Sequence, residues 1–368
     1  MNTYSVGLDN IVVGETAISN VEGDSGRLSY RGHPIAELSQ RPFTQVAWLL
    51  LFGEIPGAQQ EQQLAHFLMD HRDLNNDERA LIAAVPRKTH PMSMLQGLVP
   101  LLDTNIKQHY DFPNNSEDTY TGLIIAAKIP TLISAYRNLE LSGELPQSSR
   151  HIDPHRAFLQ NLHQQEPNDL QVATLNAAQI LQMEHSFNAG TFAGRVALST
   201  AASIQTSISV SIGTLYGKLH GGADQAALDT ARMVGCPEKA EAYVAQCLDS
   251  GGRIMGMGHR EYRTVDPRAV ILKPMARKLC IDEDSANLMA TLEAIEAACI
   301  KLLEKPDRQI RANVEFYKGA VFHALGIPSH YFTAMFAMAR CFGYIAHCLE
   351  FRPQSRLIRP AAKYIGPV

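Results

Sequence analysis

Apolar residues recur with a helical period along most of the 368-residue chain, and strict alternation is scarce. Pro42 precedes the apolar run Phe43 to Phe52 and Gly53 follows it, the proline-first, glycine-last order of a helix. The same periodicity predicts helices over residues 57–72, 92–102, 121–139, 169–183, 237–249, 284–303 and 331–351. A hairpin is predicted near Ala17 to Arg31, and polar loops containing Pro or Gly near 103–117 and 142–155. No repeat or low-complexity tract interrupts the pattern, and the predicted fold class is all-α.

One stretch tests a membrane reading. Val196 to Tyr216 carries no charge, but eight of its positions are Ser or Thr and Gln205 lies in its middle. A spanning helix is more apolar than this, so the stretch predicts a buried helix whose small side chains allow close packing against other helices or a partner subunit. Composition adds little that is unusual: 45% hydrophobic and 19% charged residues are ordinary for a globular protein. The net charge of −4 gives no reason to expect nucleic acid as a partner, so an anionic small substrate must be met by a local group of cations. The six cysteines form no C-x-x-C pair and sit mostly in apolar helical runs, as expected of buried thiols in a reducing, cytoplasmic compartment. Met1 to Gly7 lacks the basic-then-apolar order of a secretion leader.

Three segments carry candidate chemistry. They are Gly217 to Ala223 with His220, Met255 to Arg260 with His259 continuing to Arg268, and Asn313 to Tyr317 with Glu315. Each sets one acid or base beside glycine or a small residue, where backbone and ligand approach closely. Two histidines and a carboxylate suit proton abstraction beside one carbonyl while a second carbonyl is polarised as electrophile. The glycines before His259 alone read as a tight turn. They do not account for the cations His259, Arg260, Arg263, Arg268 and Lys273 that follow. If the three segments meet, the chain between them folds back as a unit, which implies a smaller domain inserted in a larger one with the site in the cleft.

Arg340 lies among almost wholly apolar residues, and a buried arginine needs an anionic partner. A protein carboxylate and a substrate carboxylate held bidentately both fit. His185 fits either a structural or a ligand-binding role, and Arg359 near the C-terminus reads on composition as a solvated residue. No local pair such as H-E-x-x-H supports a metal site, and none is expected.

In wording and order these segments resemble the citrate synthase family. The resemblance extends from Glu15-Thr-Ala-Ile-Ser19 and Gly26 to Gly32 through Ala47 to Pro56, Thr89-His-Pro-Met92, Ala127 to Thr131 and Asn188 to Val196, and ends at Ile358-Arg-Pro360. It implies a large helical domain over 1–221 and 326–368, a small domain over 222–325, and a homodimer with composite sites. It implies acetyl-CoA and oxaloacetate as substrates, condensed to citrate in the tricarboxylic acid cycle, with no cofactor beyond the CoA thioester. Matched position by position, His220 stabilises the acyl-CoA enol and His259 polarises the oxaloacetate carbonyl. His185, Arg268 and Arg340 bind oxaloacetate, and Arg359 reaches in from the second subunit. Ile254, Met255, Gly256, Met257 and Gly258 cradle CoA, with Lys273 beside them.

The departures matter as much. Glu315 stands where the family has a catalytic aspartate, one methylene further out, and a base misplaced by about 1 Å costs about a hundredfold in rate. Gly190 stands where the family has a serine that orients the enol-stabilising histidine, so His220 is expected to be less restrained. If the backbone has not compensated, Glu315→Asp raises turnover with an added gain from Gly190→Ser, whereas in a site rebuilt around glutamate, the favoured reading, Glu315→Asp lowers it. Lys218 and Asp224 replace a proline and an asparagine around the same histidine. Glu184-His-Ser-Phe-Asn-Ala189 resembles the 2-methylcitrate synthase branch, which uses propionyl-CoA, and a weakened paralogue that retains oxaloacetate binding is the remaining alternative.

Overall fold

The computed structural model describes residues 5–9, 11–106, 110–145, 147–218, 220–303 and 310–367. Residues 1–4, on which the leader was judged, and 107–109, 146 and Leu219 within the loops and first segment named above lie outside the described residues.

Among the described residues, one antiparallel sheet lies near the start of the chain. Its strands are β1 (Ser19–Glu22), β2 (Arg27–Tyr30) and β3 (His33–Pro34), with Ser19 opposite Tyr30 and Ser29 opposite Pro34. Helices make up almost all the rest, and the fold is all-α. The first group is α1 (Ile35–Leu38), α2 (Phe43–Phe52), α3 (Ala58–His71), α4 (Asn76–Ala84), α5 (Pro91–Leu98), α6 (Glu117–Leu141), α7 (Pro154–His163) and α8 (Asp169–Ile180). Next come α9 (Ala189–Leu198), α10 (Ile204–Leu215), α11 (Ala223–Val234), α12 (Ala240–Asp249), α13 (Pro267–Leu279), α14 (Glu283–Leu303), α15 (Val314–Ala324) and α16 (Phe332–Phe351).

α16 is the axis of the core. It is apolar on every side, and α2, α5, α6, α8, α9 and α10 surround it. The segment Ser329–Gln354 is long and apolar enough to cross a bilayer, yet 94% of its most apolar window is buried inside the protein. A second group, α11 to α15, packs largely on itself, with α13 and α15 also touching α8.

The stretch 196–216 corrects the sequence reading. It is not one helix but the end of α9, a break, and α10. Its Ser and Thr residues make the break: Ala201 takes a positive φ of 66°, and Ser203 caps α10 by accepting a hydrogen bond from Thr206 N. The two helices then pack closely, because a side chain at Gly194 would overlap Ser211.

Close approach also sets the turn after α8, residues 181–185, against α16. A Cβ at Gly343 would fall inside contact distance of the Met183 carbonyl oxygen and 2.6 Å from Glu184 Oε2. Backbone cannot yield as a flexible side chain does, so Gly343→Ala is expected to destabilise the protein by about 1–3 kcal/mol in urea unfolding. Gly97→Ala is the control, since nothing lies within 4 Å of its Cβ position. It should leave stability equal or slightly raised.

Candidate active site

The loop before His259 is laced to the start of α15. Gly258 N donates to Arg311 O at 2.8 Å, Asn313 N to Gly256 O at 2.9 Å, and Asn313 Nδ2 to Gly258 O at 2.8 Å. Asn313 also caps α15, its Oδ1 accepting from Glu315 N at 3.0 Å, so one side chain fixes both the loop and the turn that bears Glu315. Gly256 has φ 79°, and its Cβ position lies 2.9 Å from the Phe316 ring, so a larger residue would push the loop off α15.

Asp266 joins the remaining pieces. It is almost fully buried and caps α13, accepting from Arg268 N at 3.0 Å. It grips the Arg268 guanidinium through Nε and Nη2, both at 2.9 Å, and takes Val314 N of α15 at 3.0 Å. Arg268 and these amide donors hold its carboxyl below the usual carboxylate range against the opposing effect of burial, the largest influence.

His259 receives two backbone donors on Nδ1, from Glu261 N at 3.0 Å and Tyr262 N at 3.2 Å. In the neutral ring the proton therefore sits on Nε2. Nε2 lies 3.3 Å from Arg268 Nη2, so an acceptor oxygen that takes the imidazole proton also comes within reach of the guanidinium. Burial first and Arg268 second push the His259 pKa down to about 4, so the ring is neutral near pH 7. His185 stacks edge-on with its ring centroid 5.4 Å from that of His259, and its Nε2 lies 3.2 Å from the Tyr262 hydroxyl. Burial, then Arg268 and Arg340, hold it well below the ordinary histidine range.

His220 sits in the turn between α10 and α11. Its Nε2 faces the N-terminus of α9, 3.4 Å from Gly190 N and 3.3 Å from Asn188 Oδ1, which leaves Nδ1 as its other hydrogen-bonding atom. Burial first, then the Arg340 charge, favour the neutral ring. Gly190 is not an empty place. The Tyr344 hydroxyl lies 2.5 Å from where its Cβ would start, and Ser211 O lies at 3.1 Å. The expected gain from Gly190→Ser is therefore corrected: a serine would collide with a tyrosine already filling the space.

Arg340 is 1% exposed. Its Nε donates to Gln182 O at 2.7 Å, its guanidinium lies 4.7 Å from the Phe336 ring centroid, and among the described residues no carboxylate lies within ion-pair distance. Its charge is felt by both His185 and His220.

Glu315 brings a partner that the sequence reading missed. Lys318, fully buried, places Nζ 2.5 Å from Glu315 Oε2 and 3.2 Å from Asp224 Oδ2 on α11. Burial raises the Asp224 pKa despite the pull of Lys318, and the shorter of the two lysine contacts is the one to Glu315. The signal was a lone lysine in the apolar run Phe316-Tyr-Lys-Gly-Ala-Val-Phe322. Glu315 is felt in turn by His220 and His259. Three neutral imidazoles, a carboxylate with its own counter-ion, and two arginines thus lie close together.

The family model for the citrate synthase C-terminal domain matches residues 7–361. The chain is 34% identical to the citrate synthase of Acidithiobacillus ferridurans, across 99% of this chain and 95% of that one. It is 32% identical to the 2-methylcitrate synthase of Shewanella oneidensis, across 98% and 94%. In structure it superimposes on Pyrobaculum aerophilum citrate synthase with a TM-score of 0.89 at 31% identity, covering 98% of this chain and 92% of that one. The ternary complex of Thermoplasma acidophilum citrate synthase with carboxymethyl coenzyme A and oxaloacetate gives a TM-score of 0.91 at 26% identity, covering 100% of this chain and 97% of that one. The chain belongs to the citrate synthase family. It is an enzyme of that acyltransferase type.

Two residues marked by the family resemblance are placed less directly. Lys273 is salt-bridged to Glu296 at 2.6 Å, and Glu296 in turn accepts from Ala312 N at 3.3 Å, so the lysine buttresses the loop from behind. Arg359 is exposed in the C-terminal segment, where its Nη1 donates to Pro360 O at 2.7 Å. Ile254 is buried beneath the 254–258 loop while Met255 is 41% exposed. Among the described residues no group of three or more His, Cys, Asp or Glu is placed to hold a metal ion.

The neutral histidines have a measurable consequence. A histidine whose folded pKa lies near 4 binds fewer protons than the unfolded chain between about pH 4 and 6.5, so stability is full above that window and is lost as pH falls through it. His259→Asn is expected to flatten the fall in unfolding free energy between pH 6.5 and 4 relative to the unsubstituted protein, measured by urea titration across that range.

Proposed function

We propose that this protein condenses acetyl-CoA with oxaloacetate to give citrate and free CoA. Glu315 takes a proton from the acyl α-carbon while His220 donates a hydrogen bond to the developing enol oxygen. The enol carbon attacks the oxaloacetate carbonyl, whose oxygen accepts from His259 Nε2–H and Arg268. Water then cleaves the thioester and CoA leaves. His185, Arg268 and Arg340 hold the oxaloacetate carboxylates, and the 254–258 loop receives CoA. The observation that carries this reading is the pair of donors, His259 Nε2 and Arg268 Nη2, 3.3 Å apart with the imidazole proton fixed by two backbone amides. Such donors, set before the substrate arrives, stabilise charge where it develops.

Residues 222–325 form the small domain and residues 1–221 with 326–368 the large one, with the cleft between them. The active form is a cytoplasmic homodimer in which Arg359 completes the partner's site. The exposed tail supports this, since Leu357, Tyr364 and Ile365 present apolar surface beside Arg359 that a second copy would cover.

Thiol release tests the reaction. Oxaloacetate with acetyl-CoA should liberate free CoA faster than with propionyl-CoA. A preference for propionyl-CoA would assign the 2-methylcitrate reaction, and no release with any acyl-CoA would leave a binding paralogue. Arg340→Leu should remain folded yet lose the rise in melting temperature that oxaloacetate gives the unsubstituted protein; a retained rise would give Arg340 a structural role. Mixing inactive Arg359→Ala and His259→Ala subunits should recover part of the activity through hybrid dimers. No recovery after demonstrated subunit exchange would mean that each site is built from one chain.

A further inference from the structure

Away from the candidate active site, an open cavity lies between α2, α3, α6, α7, α8 and α16. Phe43, Phe158, Met338 and Phe342 give it apolar walls. No residue of the active site lines it. One wall is not apolar. Arg72, at the end of α3, is 6% exposed, and both its Nη1 and Nη2 are buried without a hydrogen-bond partner among the described residues. A guanidinium in this state is costly, because its charge has left water without gaining a hydrogen bond at either Nη atom, and only the nearby charges of Asp73, Asp153 and Asp70 offset the loss.

The acids near Arg72 are engaged elsewhere. Asp70 accepts from the Tyr110 hydroxyl at 2.6 Å, Asp73 Oδ2 pairs with Arg150 at 3.2 Å, and Asp153 caps α7 through His155 N and Arg156 N. Asp73 Oδ1 has no hydrogen-bond partner, but no ion pair within 4.0 Å joins it to Arg72. Two further polar atoms at the cavity wall are also unpaired: His155 Nδ1, and Gln179 Oε1, whose amide nitrogen is spent on Met335 O at 3.1 Å. Buried polar atoms are normally satisfied, and three unsatisfied groups around one apolar hollow describe a site waiting for an occupant.

We propose that this cavity binds a small apolar monocarboxylate, with its carboxylate on the Arg72 fork and its hydrocarbon part among Phe43, Phe158, Met338 and Phe342. The guanidinium matches a carboxylate in both charge and geometry. The walls exclude a strongly hydrated, fully polar anion, since nothing on them replaces its water.

Thermal unfolding of the intact protein with hexanoate tests the assignment, with hexanol and inorganic phosphate as the comparison probes. Hexanoate should raise the melting temperature in a saturable way, hexanol and phosphate should do so far less, and Arg72→Met should abolish the rise. Arg72→Met without ligand should melt at or above the temperature of the unsubstituted protein, because an unpaired buried charge has been removed. A crystal structure with hexanoate should place its carboxylate against Arg72, a reading that needs no variant. The proposal is overturned by the absence of any rise with hexanoate, by a rise that survives Arg72→Met, or by phosphate acting as strongly as hexanoate. A large loss of stability in Arg72→Met, or its failure to fold, would also overturn it by giving Arg72 a structural partner.

Discussion

A lysine ammonium with no access to water governs the catalytic end of this molecule. Lys318 is fully buried, and charge in such a place must be answered by charge. Glu315 from its own helix and Asp224 from α11 supply the answer, so the pairing that neutralises Lys318 also holds α11 against α15 and fixes the reach of the carboxylate proposed as the base. Glutamate's extra methylene is thereby taken up: its carboxylate is tethered at 2.5 Å to a rigid cation rather than left to swing. Phe336 of α16 closes the other side, 4.3 Å from the lysine nitrogen to the ring centroid.

The same principle organises the rest of the site with the opposite sign. Arg268 and Arg340 are buried close to three histidines, and among the described residues Arg268 alone of the two pairs with a protein carboxylate, Asp266. Burial and these cations keep His185, His220 and His259 neutral. A neutral imidazole donates a hydrogen bond without bringing its own charge, which suits the proposed binding of a dicarboxylate by the two cations.

Much of this was legible in the sequence, though unevenly. Pro42 and Gly53 bounded α2, and the alternation near Ala17 to Arg31 became β1 and β2. Helix α4 went unread although Asn75 and Glu78 form its capping box, because its apolar positions are few. The run 196–216 read as one helix because apolar periodicity does not register serines that turn the backbone aside. At the site, His220 and His259 stood out through their glycine neighbours and Glu315 through its place in the Asn313-Val-Glu-Phe segment. Lys318 did not, since a lysine three residues after a glutamate looks like an ordinary surface pair until burial is known. The Tyr344 hydroxyl that occupies the place beside Gly190 was likewise invisible, because it comes from a helix more than 150 residues away in sequence.

The most direct test of this account is kcat in Lys318→Met. Without its buried cation Glu315 loses the contact that fixes its carboxylate, so turnover should fall about tenfold or more, the usual worth of a positioned base being about 10²–10⁴-fold. Oxaloacetate should still stabilise the variant against heat. Unchanged turnover in a folded variant would contradict the account and leave Lys318 as a structural residue only.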